Sequence, residues 1–175
     1  SNALGTVNPV AEITARAHAA GALVFVDAVH YAPHGLIDVR SIGCDFLACS
    51  AYKFFGPHMG ILYGRRGLLE ELEAYKVRPA NDAVPYRFET GTPNYESIAG
   101  LLGTIEYLED VGNRFGENPG AVPADVPTGR KLKLRRAAAA IRIHEKKLTV
   151  AMAETLRPIP GITLYGITDP ARFDE

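Results

Sequence analysis

The chain has 175 residues, of which 47% are hydrophobic and 22% charged, with a formal net charge of −1. That is enough for one domain and part of another, and a charge so near zero gives no electrostatic reason to expect nucleic acid or an anionic membrane as the main partner. The longest apolar runs are strand-sized, too short for a membrane-spanning helix, and no charged, then apolar, then small-residue leader suggests secretion. Cys44 and Cys49 lie close together around one strand-like run, on opposite faces and too far apart to bridge, and read as reduced thiols of a cytoplasmic protein.

In chain order, Asn8-Pro9 followed by Val10, Ile13, Ala17 and Ala20 predicts a helix capped by Asn8 and stopped by Gly21. A buried strand is expected over 22–27, ending on Asp27. Pro33 breaks any helix after it, and a short helical turn near Asp38–Ile42 leads to a second buried strand over 45–49. A helical crossover between two such strands is the pattern of an α/β sheet with parallel neighbours. Residues 59–64 form a third strand. The Gly56-Pro57 turn before it is too short for a crossover, so this strand should run antiparallel. A helix over 67–75, an irregular segment over 76–86 and a polar turn over 88–94 follow. Ile98, Leu101, Leu102, Ile105 and Leu108 then mark one face of an amphipathic helix. Gly, Pro and acidic residues over 113–129 read as a linker. It separates a first domain over 1–112 from a segment over 130–175, which holds a long basic helix from Arg130 to Leu156 and a closing strand over 162–166.

In parallel sheets ligands bind beyond the carboxyl ends of the strands, where Asp27, Ser50 and Lys53 are expected to sit. Desolvating a lysine costs several kcal/mol, and a lysine so placed loses its proton more readily and becomes an amine nucleophile. Pyridoxal phosphate needs such an amine for its aldehyde, a carboxylate that keeps its pyridine nitrogen protonated, and donors for its phosphate. Lys53, Asp27, Ser50 and the hydroxyl-bearing turn at Thr90 and Thr92 could supply all three.

The segments Ser1-Asn2-Ala3-Leu4-Gly5-Thr6-Val7-Asn8-Pro9, Val26-Asp27-Ala28-Val29-His30, Ser50-Ala51-Tyr52-Lys53 and Gly91-Thr92-Pro93-Asn94 resemble, in order and spacing, the cysteine desulfurase-like branch of the class V aminotransferase family. The resemblance runs from Ser1 to about Gly112 and more loosely beyond, and it implies that Ser1-Asn2 is native sequence. It implies an incomplete fold-type I PLP-binding large domain, mostly parallel α/β with one antiparallel strand, followed by the start of a small α+β domain. It further implies that Lys53 is the Schiff-base lysine and the base acting at Cα, and that Asp27 pairs with the pyridinium nitrogen. His30 and Asn2 would lie near the cofactor's phenolic oxygen, and Ser50 and Tyr52 would bind its phosphate. Thr92 would reach the phosphate of a partner subunit in a homodimer. The implied reaction is elimination of sulfur from cysteine, with a sulfur-acceptor protein as a further partner; an aminotransferase, lyase or epimerase on the same scaffold is the alternative.

Three positions depart from the desulfurase pattern. His30 replaces a usual glutamine, Tyr52 replaces a histidine, and residues 76–86 lack a glycine-rich turn. The resemblance places the persulfide cysteine and the arginine for the substrate carboxylate past Glu175, so the 175 residues alone are expected to be inactive. Neither Cys44 nor Cys49 is expected to take the persulfide role, because a cysteine flanking a buried strand is far more often packing.

Two other classes of function compete with this reading. Asp27, His30, His34 and His58 could ligate a metal, but Pro33 spoils helical presentation and the spacing fits no zinc motif. His34 and His58 are otherwise expected to hydrogen-bond locally or face solvent. The basic helix, with Arg130, Lys131, Lys133, Arg135, Arg136, Arg142, Lys146 and Lys147, could track phosphates. It has no interleaved aromatics for stacking, so a solvated face joining two domains is expected instead.

Overall fold

A computed structural model describes residues 1–117 and 128–173. Its elements in order are α1 (Val10–Ala19), β1 (Phe25–Asp27), α2 (Val39–Ile42), β2 (Phe46–Ser50), β3 (Gly60–Gly64), α3 (Arg66–Glu71), α4 (Tyr95–Phe115) and α5 (Gly129–Leu156). Short 3-10 turns stand at Ala51–Phe54, Tyr86–Phe88 and Pro170–Arg172. The chain divides into two compact units. One comprises Val10–Val29 and Asp38–Thr104, and the other Ser1–Pro9, His30–Ile37 and Ile105–Glu175.

The first unit carries the sheet, in the order β1-β2-β3. β1 and β2 are parallel with Asp27 opposite Ala48, whereas β2 and β3 are antiparallel with Ser50 opposite Gly60. Both directions match the expectation from connection length. Side chains alternate across a sheet, so this register sorts the faces. Val26, Leu47, Cys49, Ile61 and Tyr63 share one face, on which Leu47 is 4% exposed. Phe25, Asp27, Phe46, Ala48, Ser50 and Leu62 share the other, where Phe25 and Phe46 stack with centroids 6.0 Å apart. On that second face Phe25 is 60% and Leu62 59% exposed, so it is open. The expected buried strand over 22–27 is therefore corrected. It is a three-residue edge strand, and Phe25 is 60% exposed because no described element covers the open face on which it lies.

Local chemistry sets the helix ends. The Asp38 carboxylate accepts the N–H groups of Arg40 and Ser41 at 3.0 and 3.4 Å and caps α2, and left-handed Gly43 closes it with its N–H on Val39 O. α1 ends as expected at Gly21, which takes φ +76° and donates to His18 O at 2.9 Å. The face it covers differs from the apolar pattern: Val10, Thr14 and Ala17 are turned inward, whereas Ile13 is half exposed. α3 is shorter than expected, ending at Glu71 instead of reaching Tyr75.

At the amino ends of β1 and β2 lies a fully buried carboxylate, Asp45. It accepts the Val24 N–H at 2.7 Å, His18 Nε2 at 2.8 Å and Arg65 Nη1 at 2.9 Å. The bond from His18 holds its pKa down to about 2 against the opposing effect of burial, helped by Val24 and Arg65. Three donors from α1, the approach to β1 and the end of β3 thus converge on one residue of the β2 approach.

In the second unit α4 and α5 pack closely. A Cβ at Gly112 would overlap the Lys133 carbonyl, and one at Gly116 would overlap Arg136. Glu109 pairs with Arg130 and with Lys133, so part of the basic helix is already neutralised. Residues 162–165 form no strand, and the expected closing strand is corrected: no neighbour among the described residues supplies the ladder that a strand requires. The expected linker over 113–129 overlaps the end of α4 at Phe115, and its 118–127 part lies outside the described residues. Among the described residues no helix is long and apolar enough to cross a membrane.

Candidate active site

The carboxyl ends of β1 and β2 hold two of the residues singled out from sequence. Asp27 and Ser50 share the open face of the sheet, because Asp27 pairs with Ala48 and Ser50 follows Ala48 by two residues. Asp27 Oδ1 accepts the Val29 N–H at 2.9 Å, which fixes the carboxylate at the strand end while leaving the residue exposed. Beyond Ser50 the chain enters the turn Ala51–Phe54, which carries Tyr52 and Lys53.

That turn is closed by its backbone. Fully buried Ala51 donates its N–H to Met59 O at 2.8 Å, and its carbonyl accepts the N–H groups of Phe55 and Gly56. Phe55 sits at φ +71° in the left-handed region. A Cβ at Gly56 would come within 2.9 Å of Ala51 O, so only glycine allows this approach. Lys53 is exposed, which corrects the expectation of a desolvated amine. A 3-10 turn outside the strand leaves no covering element over its side chain among the described residues. Its Nζ lies 5.3 Å from the centroid of the Tyr52 ring, within reach of a cation–π contact.

His58 was expected to bond locally or face solvent; it is exposed, and it also stacks on Tyr52 with centroids 4.9 Å apart and planes 16° from parallel. The ladder ends with Ser50 opposite Gly60, and the turns on either side of it bring Tyr52 and His58 together. Thr92 is exposed in the turn before α4. Asn2 and His30 belong to the other unit. There His30 packs edge-on against His34, which bonds Glu145 Oε1 through Nδ1 at 2.9 Å. That bond spans 111 residues and is not local, while His34 itself is exposed, as the alternative to a local bond expected. Among the described residues no three His, Cys, Asp or Glu side chains gather into a metal site. Both cysteines are free, and burial pushes each thiol's pKa up, which disfavours a reactive thiolate.

An exposed acid and a hydroxyl on one sheet face, with an exposed amine in the turn that follows, make a donor set that fits a pyridine nitrogen, a phosphate and an aldehyde. Comparison with known proteins gives the family. The model of the family described as aminotransferase class-V matches residues 1–118. A cysteine desulfurase of Yersinia pestis is 40% identical over 185 residues, covering 98% of this chain and 39% of the relative. A probable cysteine desulfurase of Halalkalibacterium halodurans is 34% identical over 178 residues, covering 95% of this chain and 38% of the relative. The crystal structure of an Escherichia coli cysteine desulfurase superposes with a TM-score of 0.64 at 27% identity, covering 95% of this chain and 39% of that one. The apo cysteine desulfurase of Thermococcus onnurineus NA1, at TM-score 0.66 and 24% identity over 96% of this chain and 39% of its own, shares the fold. The chain thus spans about two-fifths of the length of the relatives it matches. It belongs to the class V aminotransferase family.

Proposed function

We propose that this chain forms part of a pyridoxal phosphate-dependent enzyme of the cysteine desulfurase type, acting on an amino acid and releasing sulfur from cysteine. The observation that carries the reading is the parallel β1–β2 register, which sets Asp27 and Ser50 on one open face directly before the turn bearing Lys53. Bound there, the cofactor supplies an electron-accepting ring for negative charge developing at the substrate Cα.

Lys53 is the amine that holds the cofactor's aldehyde carbon and then carries a proton to or from Cα. Its exposed side chain, on a backbone locked by Ala51 and Gly56, is free to serve both roles. Asp27 keeps a proton on the ring nitrogen, with Val29 N–H orienting its carboxylate. The Ser50 hydroxyl and the Tyr52 phenol donate to the phosphate, and Thr92 donates to that of a second subunit in a homodimer. His30 donates to the ring oxygen, and Asn2 serves the same oxygen and the substrate carboxylate. Residues 1–112 belong to the large domain and 130–175 begin a small one, a division supported by the family match ending at residue 118. Two free cysteines suit a reducing, cytoplasmic compartment.

The test uses the full-length protein. Borohydride reduction in the presence of pyridoxal 5′-phosphate, followed by peptide mapping, is expected to mark Lys53, and a label on any other residue overturns the assignment. Sulfide release from cysteine, measured beside oxo-acid formation from other amino acids, then distinguishes desulfurase from aminotransferase.

A further inference from the structure

The β2–β3 ladder runs from Phe46 opposite Gly64 to Ser50 opposite Gly60. It continues past the strands, since Ala51 N–H bonds Met59 O at 2.8 Å. Beyond it the rings of Tyr52, in the 3-10 turn, and His58 meet face to face with centroids 4.9 Å apart. The stack therefore lies just beyond the hairpin ladder, between the 3-10 turn Ala51–Phe54 and the segment that enters β3. Lys53 is the next residue after Tyr52, and its Nζ stands 5.3 Å from the centroid of the same Tyr52 ring.

We propose that His58 is a positioning residue: by stacking on Tyr52 it fixes the ring against which the Lys53 amine rests, and so holds that amine ready to capture an aldehyde. The inference rests on the reading of Lys53 given above. An exposed lysine on a 3-10 turn otherwise samples many rotamers, and among the described residues no contact besides the Tyr52 ring restrains its Nζ. The backbone closure through Ala51, Gly56 and Met59 orders the main chain only. The ring pair extends that order to the side chain. Imidazole stacks as a flat plate of the right size, and phenylalanine at position 58 would preserve the plate without its nitrogens.

The experiment follows capture of pyridoxal 5′-phosphate by the PLP-free full-length protein. The absorbance rise gives the rate, and borohydride trapping with peptide mapping gives the site. His58→Ala is expected to slow capture at Lys53 about three- to tenfold, the population shift an aromatic pair supports. His58→Phe is expected to restore the wild-type rate to within about twofold, because the stack survives. Adding His58→Ala to Tyr52→Ala should slow capture no further than Tyr52→Ala alone, since the partner ring is already gone. Capture by His58→Ala at the wild-type rate overturns the proposal, and so does His58→Phe as slow as His58→Ala. Capture by the wild-type protein at a residue other than Lys53 overturns the parent reading instead, and the mapped peptide tells the two failures apart.

Discussion

Asp45→Asn tests whether one buried carboxylate ties the sheet to the helix before it. Asp45 is fully buried, yet it faces His18, Arg65 and the Val24 N–H within 2.9 Å. Its pKa falls from the ordinary 3.8 to about 2, which at ~1.36 kcal/mol per pH unit is worth about 2.4 kcal/mol. The side chains of Arg65 and His18 are 55% and 34% exposed, so solvent screens their share. The expected loss near neutral pH is therefore about 1–2 kcal/mol. The sign follows from linkage. A carboxylate with a depressed folded-state pKa contributes stability above its unfolded value and loses it as pH falls toward the folded one. Urea unfolding of wild type and Asp45→Asn should then show a gap of about 1–2 kcal/mol near neutral pH that narrows from about pH 4 downward and is mostly gone near about pH 2. A gap that stays constant across that window, or none at neutral pH, would refute the electrostatic account.

Three further outcomes are expected. Gly112→Ala forces a methyl group into the Lys133 carbonyl and should lower stability by about 1–3 kcal/mol in thermal unfolding followed by circular dichroism. Asp38→Ala removes the acceptor for the Arg40 and Ser41 N–H groups and should cost about 1 kcal/mol in the urea midpoint, with Asp38→Ser recovering most of it. Lys53→Ala should reduce turnover of the full-length enzyme by about 10²–10⁴-fold or more while leaving the unfolding midpoint nearly unchanged, because the side chain is exposed and its contact with the Tyr52 ring is a weak one.

Local rules carried most of the fold. A Gly-Pro turn of a few residues cannot return a chain for parallel pairing, so the antiparallel direction of β3 was legible, and the stop at Gly21 followed from backbone chemistry. Burial was less legible. A run such as Ala22-Leu23-Val24-Phe25-Val26 states only that its residues would be stable under cover, and Phe25 at 60% exposed shows that a described neighbour over that face is a separate condition. The same gap explains residues 162–165, whose composition suits a strand but which have no adjacent ladder among the described residues.

Long-range polar contacts escaped for a related reason. Asp45 reads in sequence as an ordinary acid before a strand, and nothing local announces partners that lie 27 residues before it and 20 after it. At the candidate site the outcome was mixed in an instructive way. Asp27 and Ser50 stand where strand ends predict, on one face, because alternation and parallel register are set by backbone geometry alone. Lys53 does not owe its availability to burial as expected; it is exposed, and its order comes from the Ala51–Gly56 closure and the Tyr52 ring beside it. An amine held by a turn and a ring is open to solvent. Any desolvation of that amine must then come from the group it binds and not from the turn that carries it.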